Sequence, residues 1–126
     1  MRMPQILRLS AVGAAWGLLG GIVLATLGPQ SLRPHLGDAQ LERFAAYFLT
    51  ASAFVLAYPR RPLVIALASA TIAVVLEFGQ FFAPGRDPGI ADAIAKAFGG
   101  IAGTVMMAFA WRLWRHRRSK APLAPR

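Results

Sequence analysis

Read from the N-terminus, the chain alternates long apolar runs with short clusters of proline, glycine and charge. The first run, Leu9 to Leu27, stops at GPQSLRP, and the second, about Leu41 to Ala57, stops at YPRRP. The third, Leu63 to Phe82, stops at APGRDPG, and the fourth, about Ile90 to Leu113, passes into a basic tail. Each is near the roughly 20 residues that a helix needs to cross the hydrocarbon core of a bilayer. Proline has no amide proton to give a helix and glycine tolerates turns, so these clusters are where the chain reverses. Short connections make consecutive helices antiparallel neighbours. The pattern predicts an all-α polytopic membrane protein, an antiparallel bundle of four transmembrane helices. They form a single domain over residues 1–118, followed by a disordered basic tail at 119–126.

Composition agrees with the pattern. Hydrophobic residues make up 56% of the chain and charged residues 15%, too little polar surface for a water-soluble domain of this length. There is no cysteine, which excludes disulfides and thiolate metal sites. His35 and His116 are isolated, so neither a metal nor a cofactor is expected. The net charge of +9 invites a nucleic-acid reading, but nearly half of the 14 lysines and arginines follow Ala110, in WRLWRHRRSKAPLAPR. A basic cluster directly after an apolar helix is a cytoplasmic anchor drawn to anionic lipid heads. With no nucleic-acid motif beside it, the expected partners are membrane lipids and not nucleic acid.

The first segment follows Arg2 and Arg8, as a signal peptide would. It is as long as a membrane span, however, and has no convincing small-x-small cleavage site, so a retained helix is expected. Gly13, Gly17 and Gly21 recur at intervals of four on it, a spacing that lets another helix backbone approach closely and offers a route to a homo-oligomer. Gly99 and Gly103 repeat the device in the fourth segment. With the N-terminus inside, Arg2, Arg8, Arg60, Arg61 and the basic tail are all inside, and only Arg33 and Arg86 lie in the outer loops. That asymmetry predicts that both termini are cytoplasmic.

Against this apolar background, VVLEFGQFFAPGRDPGIADAIAKAFGG, Val74 to Gly100, carries Glu77, Gln80, Arg86, Asp87, Asp92 and Lys96. The second segment adds Glu42, Arg43 and Tyr47. In the predicted topology all of them fall in the outer half of the membrane. At about 1.5 Å of rise per residue, Glu77 lies roughly 8 Å below the outer end of its helix, and Lys96 and Tyr47 roughly 9 Å. Arg43 and Tyr47, like Asp92 and Lys96, are four residues apart, and Glu77 and Gln80 are three apart, so each pair shares a helix face. Asp38, Glu42 and Asp92 stand at helix N-termini, where the dipole favours anions. Glu77, near a C-terminus, and Arg43 and Lys96, near N-termini, stand at the wrong ends for their sign.

An unpaired charge in hydrocarbon costs about 2.5 to 3.5 kcal/mol on insertion scales. Mutual pairing is therefore expected, with Glu77 between Arg43 and Lys96 and with Gln80 and Tyr47 completing the hydrogen bonds. Such a network either ties helices together or lines a pocket open to the outside. Arg86 and Asp87, in the loop above it, favour the pocket, because the planar fork of an arginine suits phosphate or carboxylate.

The residues so assembled resemble the VanZ-like family of small bacterial membrane proteins. The family pattern Glu-x-x-Gln-x-Phe, then Pro-x-Arg, then Asp-x-x-x-Asn-x-x-Gly reads here as Glu77, Gln80, Phe82, Pro84, Arg86, Asp92, Lys96 and Gly99. The family's His-Phe-x-x-Tyr is similar to RFAAY, Arg43 to Tyr47. The resemblance spans roughly residues 39 to 103. Arg43 stands where many members have His, and Lys96 where many have Asn, so both departures add a permanent positive charge beside Glu77. The resemblance implies a place in the bacterial inner membrane, a role in the cell envelope and a link to resistance against teicoplanin-type glycopeptides.

The leading reading is a VanZ-like inner-membrane protein with an outward-facing pocket made of Arg43, Tyr47, Glu77, Gln80, Arg86, Asp92 and Lys96. Its ligand is expected to be an anionic headgroup or envelope precursor. An alternative is a membrane-embedded enzyme using Glu77 or Asp92 as a general base on a lipid-linked substrate. No nucleophile elbow, metal motif or phosphate loop supports it, and GGIAG lies mid-helix without a preceding strand. A small four-helix drug exporter is a further alternative. Such exporters are similar in size, but their acid stands in the first helix, which here has no charge from Leu9 to Leu27.

Overall fold

The computed structural model describes residues 4–29, 31, 37–82, 85 and 89–120, and among them there are helices and no strand. α1 spans Gln5–Leu27, α2 Ala39–Ala57, α3 Pro62–Gly79 and α4 Ile90–Ser119, with a 3-10 turn, Gln80–Phe82, extending α3. All four expected helices are present, α1 starting earlier and α4 ending later than hydropathy predicts. α4 continues because arginine is a good helix former, and His116, Arg117 and Arg118 in its last turn complement the helix dipole. Ser119, the first residue of the expected tail, is thus the last of the helix. Residues 121–126 lie outside the described residues, as do Arg2, Arg33, His35, Pro84, Arg86 and Asp87.

Local signals set the helix boundaries. The Asp38 carboxylate accepts the backbone N–H groups of Gln40 at 2.8 Å and Leu41 at 3.2 Å, capping α2. Between α2 and α3 the Arg61 N–H closes a turn onto the Tyr58 carbonyl at 3.1 Å, and Pro62 then opens α3, where its missing N–H costs nothing. Beyond the 3-10 turn, Gly85 has φ 72°, a left-handed conformation that a side chain would strain.

α1, α3 with its 3-10 extension, and α4 are each long and apolar enough to cross a membrane. α2 has the length but not the apolarity, because Gln40, Glu42, Arg43, Thr50 and Ser52 lie on it. The described surface is the reverse of a water-soluble protein's. Leu7, Leu24, Leu67, Phe78, Phe98 and Phe109 are exposed, whereas Ala15, Ala51, Ala57, Ala73, Gly99 and Gly103 are buried. Small residues inside and large apolar residues outside suit helices that associate within lipid, where close van der Waals packing replaces the hydrophobic effect.

The tightest contact is between α2 and α4. Gly99 lies against the Phe44 carbonyl and Gly103 against the Phe48 carbonyl, so closely that a methyl group on either glycine would overlap the facing backbone. The Ser52 hydroxyl donates to the Gly103 carbonyl at 3.3 Å in the same contact. Both pairings advance along the two helices together, so α2 and α4 point the same way. α3 runs the opposite way along α4, with Ser69 facing Gly100 and Glu77 facing Lys96. α1 packs on α2, with Trp16 edge-on to Phe54 at a ring separation of 5.3 Å. α1 and α3 touch sparsely, through Ile22 with Ala73 and Leu76, and through Leu27 against Gly79. A side chain added at Gly13, Gly17 or Gly21 would enter open space.

Candidate functional site

The polar residues of α2, α3 and α4 gather at one end of the helices, in two tiers. In the outer tier, the Asp92 carboxylate in the first turn of α4 accepts Nη1 of Arg43 at 2.5 Å and Nε2 of Gln40 at 2.6 Å, both from α2. This pair is partly open to the surroundings, with side-chain exposures of 25% for Arg43 and 14% for Asp92.

One turn further in, the Lys96 ammonium pairs with one oxygen of the Glu77 carboxylate. The other oxygen accepts the backbone N–H of Gly89 at 2.8 Å. Both side chains are buried. Glu77 is at the wrong end of α3 for its charge, but its carboxylate reaches the residue that opens α4, where the partial charge is positive. Gly89 therefore supplies what the sequence could not show. Among the described residues, Lys96, two turns into α4, forms its ion pair with Glu77.

Two expected pairings are corrected. Glu77 does not stand between two cations, because Arg43 bonds Asp92 instead. The Arg43 side chain reaches back to the first turn of α4, and Glu77 has already given its second oxygen to Gly89. Tyr47 also does not complete the network. It is only 4% exposed, yet among the described residues its hydroxyl is the one fully buried side-chain polar atom without a hydrogen-bond partner. It lies close enough to Glu77 for the two to interact electrostatically. Gln80 is buried in the 3-10 turn. Arg86, the remaining expected member, lies outside the described residues.

A cavity of about 140 Å³ opens beside these groups, lined by Thr26 of α1, Glu42, Arg43 and Tyr47 of α2, Gln80 and Lys96. A water needs only about 10–15 Å³ measured in this way, so the space admits a small polar group and its hydration. Two participants escaped the sequence reading. Gln40 stands three residues before Arg43 and shares its face, a signal that was present. Thr26 is the polar residue near the C-terminal end of α1, after the long apolar run that begins at Ala11, a weaker signal.

The cavity brings the Arg43, Lys96 and Tyr47 donors together with the Glu42 carboxylate, which only accepts. An ammonium carries three N–H groups and a guanidinium five, and Lys96 and Arg43 each give one bond to a carboxylate here. The Tyr47 hydroxyl adds another donor. Glu77 has both oxygens engaged, which leaves it poorly placed to take a proton from a substrate. Lys96 and Glu77 form one pair and Arg43 and Asp92 another, and the Glu42 carboxylate on the same wall adds a further negative charge. Set beside family models, curated proteins and solved structures, the chain matches none.

Proposed function

We propose that this chain is a VanZ-like protein of the bacterial inner membrane, an antiparallel four-helix transmembrane bundle with both termini in the cytoplasm. Its cavity faces outward and binds an anionic, oxygen-rich component of the cell envelope. The observation that carries this reading is the buried, unpartnered Tyr47 hydroxyl on the wall that it shares with Arg43 and Lys96. A polar group held away from water without a partner costs about 1–3 kcal/mol, and a ligand oxygen would remove that cost. Because the ion pairs cancel, the ligand is selected by hydrogen bonds from Arg43, Lys96 and Tyr47 more than by long-range attraction.

The two carboxylates act as supports. Glu77 and Asp92 fix the cations through one bond each and leave their remaining N–H groups for a phosphate or carboxylate, a geometry suited to binding. The same engagement argues against Glu77 as a catalytic base or as the proton-carrying acid of an exporter. In the cell this role fits an envelope precursor, and hence altered tolerance to teicoplanin-type glycopeptides.

The test is calorimetric titration of the detergent-solubilised protein with glycerol phosphate, a headgroup without a tail. Tyr47→Phe and Arg43→Gln should each weaken binding about tenfold, the loss expected for one charge-assisted hydrogen bond, while thermal melting stays close to wild type. Binding unchanged in both variants would reduce the network to a tie between helices.

A further inference from the structure

A second cavity, of about 160 Å³, lies directly inward of the first, in the seam between α1, α2 and α3. Its walls are almost wholly apolar and include Trp16, Leu19, Phe54, Ala68 and Ile72. Ile22 and Tyr47 line both cavities, so the polar space and the apolar one meet at these two side chains. The seam persists because α1 rests on α2 and barely touches α3 below the Ile22 contact, and because Ala68 and Ala51 are too small to fill it. From Tyr47 to Phe54 it follows about 10 Å of α2, the length of several methylene groups.

Resting on the headgroup reading above, we infer that the ligand is a lipid, with its phosphate in the polar cavity and one hydrocarbon chain in the seam between α1, α2 and α3. A space that holds the Arg43, Lys96 and Tyr47 donors, joined to an almost wholly apolar one, follows the polarity profile of a phospholipid. The unpartnered Tyr47 hydroxyl lies at the junction, where the phosphate and ester oxygens of such a molecule would be. The seam also faces α1 and α3 where they are least in contact, so a chain can slide in from the surrounding bilayer without leaving hydrocarbon. Moving a chain from bilayer to seam gains little free energy, since both are apolar. The tail therefore contributes shape selection, and the headgroup contributes affinity.

Trp16, on the wall of the seam, supplies the readout. With Trp111→Phe and Trp114→Phe in place it is the sole fluorophore of its kind, and brominated acyl chains quench it on contact. In nanodiscs of phosphatidylcholine containing a few per cent brominated phosphatidic acid, quenching should exceed that given by the same fraction of brominated phosphatidylcholine. Arg43→Gln and Ala68→Phe, which removes a headgroup donor and fills the seam respectively, should each bring quenching back to the phosphatidylcholine level. Leu19→Phe serves the same purpose from α1 should Ala68→Phe fail to fold. Excess quenching that is lost in Arg43→Gln but kept in both seam-filling variants would overturn the tail assignment and leave the headgroup site standing. Glycerol phosphate binding without any excess quenching would have the same meaning. A protein that binds neither probe would overturn both readings.

Discussion

The Glu77 carboxylate, near the end of α3, accepts the backbone N–H of Gly89, the residue that opens α4, while its other oxygen holds Lys96. One side chain thus joins the two ends of the α3–α4 connection and neutralises the deepest cation of the cluster. Both tasks explain why an acid is tolerated so far into an apolar helix.

The first prediction concerns this pair. Glu77→Ala leaves the Lys96 ammonium buried and alone, which should lower stability by about 3 kcal/mol or more. Adding Lys96→Ala should recover part of the loss. Arg43 and Asp92 are more open, so their coupling in the same experiment should be only about 0.2–1 kcal/mol. Double-mutant cycles from thermal melts in detergent measure both, and strictly additive losses for Glu77 and Lys96 would show that they do not act as a pair.

Glycines should separate by position. Gly99→Ala or Gly103→Ala drives a methyl group into the α2 backbone and should destabilise the protein by about 1–3 kcal/mol. Gly13→Ala and Gly17→Ala meet nothing within the chain, so they should be neutral or stabilising by about 0.5–1 kcal/mol. If the α1 glycines form a homo-oligomer, Gly17→Leu should shift the protein toward monomer in analytical ultracentrifugation without lowering its melting temperature. An unchanged species distribution would exclude that contact.

Topology can be read directly. Reporter fusions within residues 29–40 and 84–89 should report the outside, and fusions within 58–62 and at the C-terminus the inside. A cytoplasmic result for 84–89 would place the cavity on the opposite face of the membrane and remove an envelope ligand from its reach.

The helices were legible because Pro–Gly punctuation and hydrophobic length are local properties of the chain. So was the meeting of Glu77 and Lys96, since both lie a few residues from the connection between α3 and α4. The other partners were not. Choosing Asp92 over Glu77 for Arg43 depends on how far α2 slides along α4, which the close approach of Gly99 to Phe44 and Gly103 to Phe48 determines. The sequence marked those glycines as a packing device without saying which helix they would meet. The Gly89 amide was invisible as a partner because every residue but proline carries one. The apolar seam, too, could not be read from periodicity, since it comes from the weak contact between α1 and α3 and not from any residue's own character.

Both ion pairs end on α4, which is synthesised after α2 and α3. Arg43 waits 49 residues for Asp92, and Glu77 waits 19 for Lys96. During synthesis α2 is therefore made before the partner of Arg43 and before the helix that covers its backbone at Phe44 and Phe48, and α3 is made with an acid still to be matched. The early helices carry open pairings until α4 closes on them. A chain interrupted before Ile90 would leave Arg43 and Glu77 without these partners, so α4 is the element that settles the charges of the two helices made before it.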